Sequence, residues 1–459
     1  MCALKVLKFG GTSVATFESI LSCANIVKSE RDVHVVVVSA QAIITEKLLS
    51  LADSTSLEHL NFIINDIALF YDNFTLPMYG LPLQSLCRTL IDEWLNQLNL
   101  LALRYFQSQE RGDYHALISM GEIVSSQLVS AIFENCNLDN TLVSATELVS
   151  VKGVGNERQQ IDRPACQTAC ANQLSDLPPS RLIVTQGFIA NQAETGQLVT
   201  LGRGGSDLSA AIIAEAANAS ELQIWTDVEG VLSGDPRVLK HARPLAEVSY
   251  HTASLLAKLG AKVLHKKSIA PAMRKSIPIV VGSTFKPEMN RTLIHNVTEP
   301  TGALSVTYLK DVCILTLSQG DITDSNLLQI VLKTLAQLGT DYLAFELHAD
   351  RMTIVLQTVE VKVLEALDQA LLSNGFEDIL VESEYHMAFV SLVGTQLNRA
   401  PYIRAYTQAL LEHHEVKHSF STGNDCVVSY VVDMTQLVSV LQTLHAQVIG
   451  SHQSIELDH

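Results

Sequence analysis

No stretch of this 459-residue chain holds the roughly 18 consecutive apolar residues that crossing a bilayer takes. Basic residues are also in short supply, 31 Lys and Arg against 48 Asp and Glu, for a formal net charge of −17. A field of that sign repels duplexes and anionic lipid, so neither nucleic acid nor membrane is expected as the main partner. An anionic substrate would need a local cationic pocket. The 8 cysteines include no Cys-x-x-Cys, and Cys166 and Cys170, four apart on an expected helix, have no histidines at zinc spacing. Reduced, buried thiols are the expectation. The amino terminus, Met1-Cys2-Ala3-Leu4-Lys5, runs straight into strand-like residues instead of a basic, apolar and small-residue leader. The expected location is cytoplasmic.

What is present suits a well-packed globular protein: 47% hydrophobic and 17% charged residues. The length exceeds what one core usually organises, so two or more domains are expected. Strand-like runs at 4–9 and 33–40 flank residues 17–30, where Phe17, Ile20, Leu21, Ala24 and Val27 fall on one helical face. The second run is a Val block, as in a strand covered on both faces. Further strands are expected at 141–145, 181–189, 198–201, 222–226 and 278–282, with helices at 121–135 and 206–218 and a helical insertion over 57–111. Residues 191–196 read as a hairpin turn. After the turn cluster at 298–302 two βαββα(β) units follow, one from about residue 313 and one from about 388. Two small modules of this kind would cover their open faces against one another or a second subunit.

Two glycine-rich junctions carry the chemistry. The first strand ends in Lys8-Phe9-Gly10-Gly11-Thr12-Ser13, with a helix expected next. Glycines let backbone approach an anion, a helix start offers free N–H groups, and Lys8 adds a compact charge, although a plain tight turn needs glycine too. It is neither a Walker A motif nor Gly-x-Gly-x-x-Gly. The second junction, Leu201-Gly202-Arg203-Gly204-Gly205-Ser206-Asp207, sets a forked guanidinium among glycines, with Ser206 a candidate helix cap or ligand. Farther on, Thr226-Asp227-Val228-Glu229-Gly230 reads as a strand end and Gly234-Asp235-Pro236-Arg237 as a rigid turn, near a sheet edge where nucleotides bind in open α/β folds. Lys262, in Gly260-Ala261-Lys262-Val263-Leu264-His265, is a candidate phosphate contact.

In this order, and with Met120-Gly121-Glu122 between them, these motifs resemble the aspartate kinase family of the amino-acid kinase superfamily, over the whole chain. The resemblance implies a carbamate-kinase-like three-layer α/β/α sandwich with a mainly parallel sheet over 1–300. Two ACT-type, ferredoxin-like α+β modules over 301–385 and 386–459 would follow. It implies transfer of the γ-phosphoryl group of ATP, with Mg2+ bridging phosphates, to the side-chain carboxylate of L-aspartate. Aspartate is already ionised at neutral pH, so catalysis reduces to alignment and charge neutralisation. By resemblance Lys8 contacts the transferring group, with Gly10 and Gly11 as backbone donors. Ser39, Thr45 and Glu122 hold the amino acid, Glu122 taking its ammonium. Arg203 takes the α-carboxylate, and Gly204, Ser206 and Asp207 complete that pocket. Thr226, Asp227, Asp235, Arg237 and Lys262 fall at ATP positions, with Mg2+ having few protein ligands of its own. The modules imply a homodimer and an amino-acid effector, lysine or threonine.

Departures from the family pattern fall at Leu232, where relatives have an aromatic, at Lys266-Lys267 after Leu264-His265, and at the effector loops around 322–326 and 421–424. The rival readings are another carboxylate kinase of the same superfamily and a catalytically silent amino-acid-binding subunit. The second is opposed by an intact Lys8, Glu122, Arg203 and Asp207.

Overall fold

The computed structural model describes residues 4–153, 159–175, 177–178, 181–261, 264–357, 361–397, 401–422 and 425–449. By internal packing the chain divides into two compact units. One comprises Met1–Val231, Ala246–Ser254 and Val263–Val297; the other comprises Leu232–Leu245, Leu255–Lys262 and Thr298–His459.

The first unit opens with β1 (Lys5–Phe9), α1 (Phe17–Ser29) and β2 (Val33–Val38). Val35 to Val38 of β2 are at most 1% exposed, because layers lie on both faces of the strand. Helix α1 starts at Thr16 with a capping box, Thr16 Oγ1 accepting from the Ser19 N–H and Ser19 Oγ from the Thr16 N–H. Then come α2 (Ile44–Ala52), α3 (Leu57–Thr75), α4 (Pro82–Ser108) and α5 (Arg111–Asn135). The expected insertion is thus helical, but the helix foreseen from residue 121 begins at Arg111. Helix α4 buries Leu83, Cys87, Ile91, Trp94, Leu98 and Ala102, one stripe at spacings of three and four.

Strands β3 (Asn140–Leu142), β4 (Ser150–Lys152) and β5 (Gln160–Ile161) lead to α6 (Arg163–Ser175). The run expected as one strand over 181–189 is two, β6 (Leu182–Gln186) and β7 (Ile189–Gln192), with Phe188 between them at φ 68. Next are β8 (Leu198–Thr200), α7 (Gly205–Ala216), β9 (Glu221–Thr226), β10 (Glu247–Ser249), α8 (Tyr250–Lys258), α9 (Lys266–Arg274), β11 (Ile279–Ser283) and β12 (Thr292–His295). Among the described residues one sheet runs β10-β12-β11-β9-β1-β2-β6-β3, parallel except for β11 against β12. A smaller sheet runs β5-β4-β7-β8. The turn expected near 191–196 joins β7 to antiparallel β8.

Helix α5 is long and apolar enough, by length and composition, to cross a membrane, and 78% of its apolar window is buried inside the protein. Its sequence carries no unbroken apolar run because Ser119, Glu122, Ser125 and Ser126 interrupt it, all of them buried.

The second unit holds β13 (Gly302–Ser318), α10 (Ser325–Gln337), β14 (Tyr342–Leu347), β15 (Arg351–Leu356), α11 (Val361–Ser373), β16 (Leu380–Thr395), α12 (Pro401–Leu410), β17 (Val416–Thr422), β18 (Val427–Asp433) and α13 (Leu437–Leu444), with a π-helical end at His445–Ile449. The two repeats do not stand as separate tandem sheets. One sheet runs β14-β15-β13-β16-β18-β17, and β16 passes straight through the boundary expected at 385/386. Strands β13 and β16 bend where Asp311 and His386 take left-handed backbone, φ 54 and 59. Consequently Ala303 and Val306 serve one core and Cys313, Leu315 and Leu317 the other. The first of these cores also takes Leu239, which explains why residues 232–245 fold with this unit.

Candidate active site

The carboxyl ends of β1, β2 and β9 meet where strand order reverses about β1, the position at which open α/β sheets bind ligands. Here the first unit has a cleft of about 870 Å³ lined by Lys8, Gly11, Ser39, Thr45, Glu122, Arg203, Gly204, Ser206 and Asp207. Residues spread across two hundred positions thus converge on one cavity.

Lys8, near the end of β1, is buried and pairs with Asp207 in the first turn of α7, Nζ to Oδ1 2.7 Å. Asp207 Oδ1 makes that ion pair without a hydrogen bond of good geometry. Gly10 lies beside the ammonium, a Cβ there falling 3.5 Å from Lys8 Nζ, but its N–H is used by Trp225 O at 3.0 Å. Of the two glycines, Gly11 has an N–H without a backbone partner among the described residues. Helix α1 begins at Phe17, where its apolar period starts, so it does not abut these glycines: a 3-10 turn over Thr12–Val14 intervenes.

The anion-facing helix start is that of α7 instead. It begins at Gly205 with Gly204 as N-cap and no side-chain cap, so Ser206 is not the capping residue. Gly204 is required twice over, by φ +73 and because a Cβ would meet His265 Cβ at 2.3 Å. The N–H groups of the first turn therefore open on the cleft with the positive end of the helix dipole. Arg203, exposed beside them, has no ion-pair or hydrogen-bond partner among the described residues.

Glu122 is 3% exposed on α5, and its Oε2 has no hydrogen-bond partner among the described residues. Burial drives its carboxyl up to about 8, only partly countered by hydrogen bonds from the backbone at Ala40 and at Glu122 itself. A buried acceptor awaiting a donor suits an ammonium group. Ser39 and Thr45 flank it from the β2–α2 turn and the start of α2. Within that turn Ile43 takes φ 70, strained for a β-branched residue.

The expected nucleotide residues are distributed differently. Thr226 ends β9 and donates to Asp227 Oδ1 at 3.0 Å. Asp235 and Arg237 belong to the second unit and bind each other, Arg237 Nη2 lying 2.7 Å from Asp235 Oδ2, while Tyr308 Oη donates to the same oxygen at 2.9 Å. The guanidinium first, with Tyr308 assisting, holds the Asp235 carboxyl down at about 2. Lys262 lies outside the described residues. Sequence motifs missed other cleft residues, among them Gln41, Arg111, Tyr114 and His115. His115 Nδ1 lies 3.0 Å from Thr200 Oγ1, and burial, then Arg111, lowers its pKa. None of the four sits in a glycine-rich motif, so no local pattern marks them.

A lysine beside glycine backbone, an open helix start and an unpaired guanidinium define a phosphotransferase site built to hold two anions together. The chain matches the amino acid kinase family over residues 3–283. Lysine-sensitive aspartokinase 3 of Escherichia coli (strain K12) is 31% identical, covering 97% of this chain and 99% of that protein. Aspartokinase 1, chloroplastic, of Arabidopsis thaliana is 27% identical, covering 98% of this chain and 81% of that protein. The crystal structure of E. coli aspartokinase III with aspartate and ADP superposes with a TM-score of 0.85 at 28% identity, covering 96% of this chain and 99% of that one. Its complex with lysine and aspartate gives 0.79 at 29% identity, covering 97% and 99%. The chain belongs to the amino acid kinase family and, within it, to the aspartokinases. It is thus an ATP-dependent carboxyl kinase of the aspartate pathway.

Proposed function

We propose that the cleft binds L-aspartate with its β-carboxylate facing Lys8 and the γ-phosphoryl group of ATP, and that the products are 4-phospho-L-aspartate and ADP. The observation that carries this reading is the convergence of Lys8, Glu122, Arg203 and Asp207 on one cavity. Glu122 takes the ammonium, Arg203 the α-carboxylate in a bidentate pair, and Ser39, Thr45, Gly204 and Ser206 add hydrogen bonds. Lys8 exchanges its contact with Asp207 for the transferring group, where negative charge accumulates in the transition state, and the α7 N–H groups and Gly11 share that load. No base is needed, since the nucleophile is an ionised carboxylate.

Thr226, Asp227, Asp235, Arg237 and Lys262 are assigned to ATP by the family pattern. A similar solved structure holding aspartate and ADP supports both ligands. Mg2+ would be carried mainly by phosphate oxygens, with Asp207, which lines the cleft, as the neighbouring carboxylate. Bound there, the ion would draw charge from the phosphates.

In this reading residues 1–300 supply the catalytic machinery, and the residues after them form two interleaved ACT-type regulatory modules, sharing β13 and β16, of a cytoplasmic homodimer. Their effector would be lysine or threonine, lysine being favoured by the lysine complex of the similar E. coli enzyme. A coupled ADP-release assay with Mg-ATP and a panel of acceptors tests the activity. Turnover is expected with aspartate, and none with aspartate but clear turnover with another acceptor overturns the reading. Initial rates with each amino acid added in turn test the effector.

A further inference from the structure

Gln41 stands in the turn between β2 and α2, is 1% exposed, and lines the same cleft as Lys8 and Glu122. Only one end of its amide is engaged. Tyr71 Oη, from α3, donates to Gln41 Oε1 at 2.7 Å, while Gln41 Nε2 is buried without a partner among the described residues. Tyr71 cannot shift easily: it is fully buried and edge-on to Trp94, ring centroids 5.2 Å apart, and Trp94 Nε1 donates to Met120 O at 2.8 Å. The turn is fixed as well, by Ala42 N to Gly11 O at 3.0 Å and Ile44 N to Gln41 O at 3.1 Å.

A buried donor lacking an acceptor is disfavoured unless a ligand completes it. The cleft holds a second buried group without a partner, of opposite sense, Glu122 Oε2. A missing acceptor and a missing donor in one cavity call for a ligand carrying both a carboxylate and an ammonium. Arg203 already offers a cation for one carboxylate. A neutral amide is the better partner for the other, because a carboxylate that must attack phosphorus keeps more of its electron density beside a neutral donor than beside a guanidinium.

We propose that Gln41 determines specificity at this site: Nε2 donates to the side-chain carboxylate of the amino acid, and Tyr71 locks the amide so that its donor end faces the ligand. This rests on the reading of the cleft as the aspartate site. The test uses the full chain carrying Gln41→Met, which keeps length without a donor. KM for aspartate should rise at least tenfold with KM for ATP unchanged. Competitive inhibition by succinate, which has the second carboxylate but no ammonium, should weaken by the same factor. Inhibition by L-alanine, which lacks that carboxylate, should stay as in the wild type. Tyr71→Phe should move the same constants in the same direction by less. Should Gln41→Met not fold, Gln41→Glu, which puts an acceptor where the donor stood, carries the same succinate-against-alanine comparison. Equal weakening of both inhibitors, or no change in either, overturns the proposal. A wild-type chain inert toward aspartate overturns the aspartate reading itself, a distinguishable failure.

Discussion

The buried carboxyl of Glu122 makes aspartate affinity depend on pH in a calculable way. With its pKa at about 8 instead of the usual 4.5, only about one molecule in eleven has the ionised form at pH 7, against about nine in ten at pH 9. If only the ionised form receives the ammonium, KM for aspartate is divided by that fraction and should fall about tenfold from pH 7 to pH 9. Glu122→Gln should raise KM and abolish its slope. Stability should move the other way. A folded-state pKa raised above the unfolded one gives a contribution that is complete below about pH 4.5 and is lost as pH rises through about 8. The span of that loss is of order 5 kcal/mol at about 1.4 kcal/mol per pKa unit. Wild type and Glu122→Gln should thus be similar in urea denaturation at pH 5, and the variant more stable at pH 9. The assay is ADP release at saturating Mg-ATP over pH 6 to 9, below the titration of the substrate's own amine. A wild-type KM that is flat across this range would refute the assignment.

Lys8→Ala should lower kcat by about a hundredfold or more while changing KM for aspartate less, because its charge acts where charge is transferred. The same change leaves Asp207 without its 2.7 Å partner and should cost about 3 kcal/mol, which Lys8→Met with Asp207→Asn should restore without restoring activity, as thermal melts and turnover would show. Arg203→Ala should raise KM for aspartate about ten- to a hundredfold and leave the melting temperature nearly unchanged, since the guanidinium is exposed and makes no hydrogen bond or ion pair among the described residues. Loss of ATP affinity alone would contradict this. Ile43→Gly should stabilise the protein by about 1 kcal/mol in denaturant unfolding, relieving φ 70 at a half-exposed side chain.

Much of the fold was legible because the main sheet is written in local signals. The Val block of β2, the period of α1 and the glycines flanking β1 and α7 each need only a few residues to declare themselves. Where two elements run close together, local reading failed: α5 starts ten residues early, and β6 and β7 divide at Gly187-Phe188, where the residue on left-handed backbone is Phe188 and not the glycine before it. The repeat of two βαββα units was readable. That β13 and β16 each serve both cores was not, because strand sharing depends on pairings between distant residues.

Local sequence named the groups able to do the chemistry: a lysine after a strand, an arginine among glycines, a glutamate in an apolar helix. Tertiary structure decided how they are used. It paired Lys8 with Asp207, gave the open helix start to α7 instead of α1, and left Glu122 and Gln41 buried with one polar atom each lacking a partner. Residue types and spacing record which donors and acceptors a chain owns. Which of them remain unpaired, and so available to a substrate, follows only when segments far apart in the chain have packed and satisfied all the others.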